Sequence, residues 1–194
     1  MEPVSEPLPD LLSLLSSDLN RYFPSLVLNF QQRLYAFALR YTGIPQDAED
    51  IAQETFIRAY HALADYPAER IRTMKMQSWL YKIALHICYR HKSNVRLQYI
   101  SLDLSEEQQA SLEGDEREHP EKVLEDREEV RELEAMINRL PEQYRIAISC
   151  YYFEELGYRE IAELLNQPIG TVKSNVHRGT QLLRKSFLAQ QQYR

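Results

Sequence analysis

The stretch "GYREIAELLNQPIGTVKSNVHRGTQLLRK", Gly157 to Lys185, holds two helical apolar repeats separated by residues that forbid one continuous helix. Ile161, Ala162 and Leu165 form the first repeat, and the small Ala162 permits a second helix to approach closely. Asn166 stands where the chain must leave that helix, and Asn is the usual substitute for Gly in a left-handed C-terminal cap. Pro168 then prevents simple continuation. Val172, Val176, Gly179 and Leu183 follow at i, i+4, i+7 and i+11, one narrow inward stripe. The pattern predicts two short-linked helices crossing at the Asn-Pro break, a helix-turn-helix.

The opposite side of the second helix displays Lys173, Ser174, His177, Arg178, Gln181, Arg184 and Lys185, with Thr171 and Asn175 on its flank. A B-form major groove admits such a helix, and these side chains can donate to phosphates or read base edges. Early residues are placed to read bases, and Arg184 and Lys185 to hold backbone. An αα-hairpin in a bundle shares the same pattern, and His177 also reads as an ordinary surface histidine.

Charge supports the nucleic-acid reading once it is counted by segment. The whole chain of 194 residues has a formal net charge of -6. From Met1 to Gln98 the net is +1, from Tyr99 to Ala135 it is -10, and from Met136 to Arg194 it is +3. Arg70 to Gln98 holds seven bases and no acid, and the tail from Leu165 holds five bases and no acid. Two basic stretches flanking an acidic one are an electrostatic footprint for phosphate backbones, whatever the net charge.

The first half is helical in pattern. Leu26, Phe30, Leu34, Phe37, Ala38 and Tyr41 share one face, ended by Gly43 with Pro45 beyond. Ala48, Ile51, Ala52, Thr55, Ala59 and Leu63 form a second stripe, whose opposite face shows Asp47, Asp50, Gln53, Glu54 and Arg58. "ADYPAERIRTMKM" reads as a loop or short turn. "QSWLYKIALHICYRHK" resumes a helix with Trp79, Leu80, Ile83, Ala84 and Ile87 inward. Trp79, Tyr81 and Tyr89 lie among bases there, a mixture that holds single-stranded bases by stacking, although Trp79 also reads as plain core.

Tyr99 to His119 lack sustained periodicity and read as a linker. A helix is expected from Glu121 through Val123, Val130, Leu133, Ile137 and Leu140, and another over "PEQYRIAISCYYFEEL". With five glycines and no convincing strand, the expected fold is all-α: two small helical domains joined by an acidic linker. The boundaries are a leader at 1–18, a first domain at 19–98, the linker at 99–120 and a second domain at 121–194.

Other classes are disfavoured. Cys88 and Cys150 lack partners at metal-ligand spacing, so neither a zinc site nor a disulfide framework is suggested, and a reducing cytoplasm fits. The leader is acidic where a secretory signal needs bases, and no run approaches the roughly 18 apolar residues of a membrane span. No nucleophile-base pairing or phosphate-binding glycine loop appears, so no enzyme and no cofactor are implied.

Four motifs in series, "DAEDIAQETFIRAYHAL", "WLYKIA", "LPEQYRIAISCYYFEELGYREIAELL" and "GTVKSNVHR", resemble a bacterial RNA polymerase sigma factor of the sigma-70 family, extracytoplasmic-function (ECF) type. The resemblance covers roughly Leu19 to Phe187. It implies that the first domain is sigma region 2 and the second sigma region 4. It implies that Asp47, Asp50, Gln53, Glu54 and Arg58 dock on the clamp helices of the β′ subunit of core RNA polymerase. The loop Asp65 to Ser78 and the helix after it are then expected to recognise and melt the minus-10 promoter element, through Lys75, Trp79, Lys82, His86, Arg90 and Lys92.

Region 4 would place Thr171, Lys173, Ser174, Asn175, His177, Arg178, Arg184 and Lys185 at the minus-35 element. The chain departs from its relatives where "ALH" stands for the usual "ARN" and "KSN" for "KSR", so Asn175 is expected to pair with adenine and set a distinct preference. Gly179 replaces a common Ala. The resemblance also implies an anti-sigma factor as partner, and a linker threading the polymerase channels, where a plain solvated spacer is the other reading. A conventional helix-turn-helix regulator, acting without the sigma role, is the competing function.

Overall fold

Asp18 caps the helix around which the first unit is built. Its carboxylate accepts a hydrogen bond from the Arg21 backbone N–H at 3.1 Å, satisfying one donor that the first turn leaves without a partner. The computed structural model describes residues 8–101 and 132–191. It contains α1 (Leu8–Ser17), α2 (Leu19–Thr42), α3 (Pro45–Ala64), α4 (Ala68–Thr73) and α5 (Met76–Ser101). After the undescribed stretch come α6, described over residues 132–138, then α7 (Glu142–Ile148), α8 (Tyr158–Leu165) and α9 (Ile169–Gln191). The fold is all-α, with no strand among the described residues. The chain divides into two compact units, one ending at Val95 and the other starting at Arg96.

In the first unit α2 ends at Gly43, whose φ of 73° is left-handed and whose N–H reaches the Leu39 carbonyl at 2.8 Å. Pro45 then starts α3, in the first turn where its missing N–H costs nothing. The tight connection folds α3 back against α2, and the expected stripes of both helices are buried. Phe23 meets Phe56 and Tyr60 edge-on, with centroids 6.5 and 5.0 Å apart.

Two parts of this unit differ from expectation. The residues assigned to a leader contain α1, whose Leu11 and Leu15 are buried where it packs on α2 and α4. Leu11 and Leu15, one turn apart, make that face with Leu12 beside them, and Ser13 and Ser17 are exposed. The segment read as a loop holds α4, which buries Ile71. In α5, Leu80, Ala84 and Ile87 are buried as expected, but Trp79 and Ile83 are only half-buried. Tyr81 is 0% exposed and packs on Phe37 at 5.1 Å, so the stacking role given to Tyr81 is corrected: its ring belongs to the core.

The linker at 99–120 lies outside the described residues beyond the end of α5, as do Val123 and Val130. In the second unit Ile137 and Leu140 are buried, whereas Leu133 is exposed. α7 does not run on to Leu156 as one α-helix. It widens into a π turn over Ser149–Phe153, where Glu154 N–H bonds to the Ser149 carbonyl and Leu156 N–H to that of Cys150, at 3.1 and 3.0 Å. α8 and α7 both pack on α9. The buried residues of α8 are Ile161 and Leu164, with Ala162 and Leu165 half-buried, so the inward stripe is rotated slightly from the expected one.

Candidate functional site

The polar face of α3 is not a free row of side chains, because α5 reaches it. Glu54 Oε1 accepts from Arg58 Nε at 2.9 Å, one turn on, and from Arg90 Nη2 of α5 at 3.2 Å. His91 Nε2 lies 3.8 Å from Asp47 Oδ1. Gln53 donates to Glu49 at 3.4 Å, and Asp50 and Gln53 are exposed. Arg90 was assigned to DNA and Glu54 to a protein partner; the structure joins them. Sequence spacing carried no sign of this, since the residues are 36 apart.

Around the corner from that pair lies a shallow cleft of about 320 Å³, lined by Arg58, Ala62, Tyr66, Trp79, Lys82, Ile83 and His86. Trp79, Lys82 and His86 were expected at one site, and the structure brings them together there. Tyr66 was missed, as was the service of Arg58 to both surfaces. The rings of Tyr66 and Trp79 lie 5.9 Å apart and tilted, and the Arg70 guanidinium caps the Tyr66 ring at 3.6 Å. A Tyr immediately before Pro67, followed by the bases of α4, is the signal that marked it. No lining residue is acidic, so the cleft offers apolar ring faces within a cationic rim. Lys75 and Lys92 are exposed, in the α4–α5 turn and further along α5, away from the cleft lining.

In the second unit the helix-turn-helix is built as its punctuation demands. Asn166 takes φ 50° and ψ 48°, the left-handed cap, and Gln167 N–H bonds to the Ala162 carbonyl at 3.0 Å. The Pro168 carbonyl accepts from Thr171 and Val172 N–H at 2.9 and 3.2 Å, which starts α9. Val172, Val176 and Gly179 are buried, and Leu183 partly so. Thr171, Lys173, Ser174, His177, Arg178, Arg184 and Lys185 are all exposed. Gln181 Nε2 lies 3.0 Å from His177 Nε2, fixing a pair on that surface.

Asn175 is the exception. It is 9% exposed, next to Val176 on the side that faces the unit's own core. The flank position that the helical wheel gave it is covered by the packing of α9 on α7 and α8. So little free surface leaves Asn175 poorly presented for the adenine contact expected of it.

Among the described residues no group of three or more His, Cys, Asp or Glu is placed to hold a metal ion. Nor is any described helix long and apolar enough to cross a membrane. Burial pushes the Cys88 thiol up to about 12, so it is no nucleophile.

An aromatic cleft with a basic rim in one helical unit, and a helix-turn-helix with an acid-free outer face in the other, define a DNA-binding transcription protein. Comparison with known proteins specifies it. Residues 26–96 match the family model for sigma-70 region 2, and residues 130–183 that for sigma-70 region 4. The RNA polymerase sigma-H factor of Pseudomonas aeruginosa is 31% identical, over 86% of this chain and 86% of its own length. The ECF RNA polymerase sigma factor SigW of Bacillus subtilis is 32% identical, over 85% and 88%.

Two solved structures share the fold. One is CnrH in complex with the cytosolic domain of CnrY, with TM-score 0.61 and 22% identity over 93% of this chain and 97% of that one. The other is the sigma factor RpoE with the anti-sigma factor NepR from Bartonella quintana, with TM-score 0.68 and 20% identity over 84% and 94%. The chain belongs to the ECF group of the sigma-70 family. As a sigma factor it directs promoter-specific transcription initiation and has no catalysis of its own. A lone helix-turn-helix regulator is not favoured, because region 2 is matched as well as region 4.

Proposed function

We propose a division of labour among the three surfaces. The α3 face, Asp47, Asp50, Gln53, Glu54 and Arg58, docks on the clamp helices of the polymerase β′ subunit. The cleft takes an unstacked base of the minus-10 element against the Trp79 ring, with Tyr66 packed beside it. Lys75, Lys82 and Lys92 neutralise the strand around it, His86 contacts it, and Arg90, held by Glu54, stands at its border. Thr171, Lys173, Ser174, His177, Arg178, Arg184 and Lys185 meet the minus-35 duplex in its major groove. Residues 19–98 then act as region 2 and 121–194 as region 4, with the acidic 99–120 between them.

The observation that carries this reading is the cleft. A base leaving a duplex loses its stacking, and aromatic side chains restore it while nearby cations hold the phosphates. Trp79 and Tyr66 supply the first and Lys82 the second, with Arg58, paired to Glu54, and His86 completing the lining. A protein with these partners works in the cytoplasm, where polymerase and promoters are. The two solved relatives are bound to CnrY and to the anti-sigma factor NepR, which supports an anti-sigma partner here.

The deciding experiment mixes purified protein with bacterial core polymerase and a promoter library, then sequences the transcripts. Promoters sharing two spaced elements are expected. Failure to bind core polymerase, with tight binding to a palindromic site by the free protein, would overturn the reading.

A further inference from the structure

The π turn of the second unit leaves an aromatic cluster that the three surfaces do not use. A π turn holds one more residue than an α turn and so re-aims the side chains that follow it. Ser149 and Cys150 go into the core, while Tyr151 is half-buried and Tyr152 exposed. The Tyr151 ring stacks on that of Tyr158, the first residue of α8, with centroids 4.7 Å apart and planes 13° from parallel. Tyr152 closes the cluster edge-on against Tyr151 at 4.9 Å and 90°.

The far side of this stack faces the start of α9. Lys173 Nζ lies 5.7 Å from the Tyr158 ring centroid, inside the range over which a ring's quadrupole attracts an ammonium. Lys173 is otherwise a flexible, exposed side chain, and holding its head restricts a freedom that DNA binding would have to remove. The hydrogen bond with Tyr151 raises the Tyr158 pKa, with burial and the neighbouring tyrosines adding to it, so the ring stays neutral at physiological pH. An electron-rich neutral ring is thus fixed beside a cation near the start of the recognition helix.

We propose that Tyr158 is a positioning residue for minus-35 recognition: stacked on Tyr151, its ring holds the Lys173 ammonium ready for the duplex. The proposal rests on the reading of α9 as the DNA-facing helix. It makes a packing feature of the π turn part of the DNA surface, through a residue that itself lies on the preceding helix.

The test is a double-mutant cycle on full-length protein assembled with core polymerase, measuring affinity for the promoter recovered from the library. Tyr158→Leu is expected to weaken binding about 2- to 5-fold, the scale of an exposed cation–π contact. On a Lys173→Ala background the same change should have no further effect, and Tyr158→Phe, which keeps the ring, should bind as wild type. Weakening by Tyr158→Leu that persists in full without Lys173 overturns the proposal, as does loss in Tyr158→Phe, because a purely structural tyrosine would give either result. Arg178→Ala separates the two levels. If Arg178→Ala weakens binding and Lys173→Ala does not, only this proposal falls; if neither does, the reading of α9 falls with it.

Discussion

Arg90 of α5 and Glu54 of α3 meet at 3.2 Å, on a carboxylate oxygen that Arg58 also engages. One acid therefore sits between two cations at the border of the α3 face and the cleft. All three side chains are partly exposed, so the pairs contribute at most about 1 kcal/mol to folding. Glu54→Gln should accordingly lower Tm by no more than about 5 °C. If α3 docks on polymerase, the same change should weaken core binding several-fold, read by biolayer interferometry. A large fall in Tm with unchanged core binding would make Glu54 a structural residue only.

Gly179 lets α9 pack closely on α7. A Cβ there would lie 2.6 Å from Ile148 Cδ1 and 3.1 Å from Tyr144 Cβ, and Ile148 is itself buried. Gly179→Ala gains about 1 kcal/mol in helix propensity but overpacks the contact by about 1–3 kcal/mol. The expected outcome in urea denaturation is net destabilisation, relieved by adding Ile148→Val, which removes the offending methyl group. Stabilisation by the single change would show that the two helices separate freely.

Helix existence was legible in the sequence wherever apolar spacing ran for several turns, and so were its stops at Gly43 and Asn166, because each break has a local chemical cause. What was not legible depends on tertiary partners. Leu164 rather than Leu165 turns inward, and Asn175 is covered, because the rotation of a short helix is set by what it packs against. Tyr66 joined the cleft only when α3 and α5 were laid side by side. Arg90 looked like a free DNA cation until the fold put Glu54 within reach, and the π turn had no composition signal to announce it.

Cys88 tests burial chemically. Its thiol is raised from 9.0 to about 12 by desolvation, so at pH 8 only about one molecule in ten thousand carries the thiolate. Iodoacetamide should leave Cys88 and the equally buried Cys150 unlabelled in the native protein and modify both in urea, read by mass spectrometry. The linkage has a definite sign: a raised folded pKa favours the protonated native state, so this contribution is intact below about pH 9 and is lost as pH rises towards about 12. Fast native labelling at pH 8 would contradict the buried placement.

The last prediction concerns α1. Leu15 is 1% exposed, and α1 packs on both α2 and α4. Arg72 Nε of α4 donates to Ser16 Oγ at 2.9 Å, a polar latch beside the apolar contact. Leu15→Ala should cost about 2–5 kcal/mol, since the cavity it leaves adds to the lost burial. Ser16→Ala removes only the latch and should cost about 1 kcal/mol or less. Because α4 carries Arg70, which caps Tyr66, loosening α4 disturbs the cleft from behind while the α3 face stays where α2 holds it. Leu15→Ala is therefore expected to impair promoter opening, read by permanganate reactivity of minus-10 thymines, more than core polymerase binding. An unchanged Tm with normal opening would return residues 8–17 to the status of a dispensable leader; equal loss of opening and core binding would show that the whole unit had come apart.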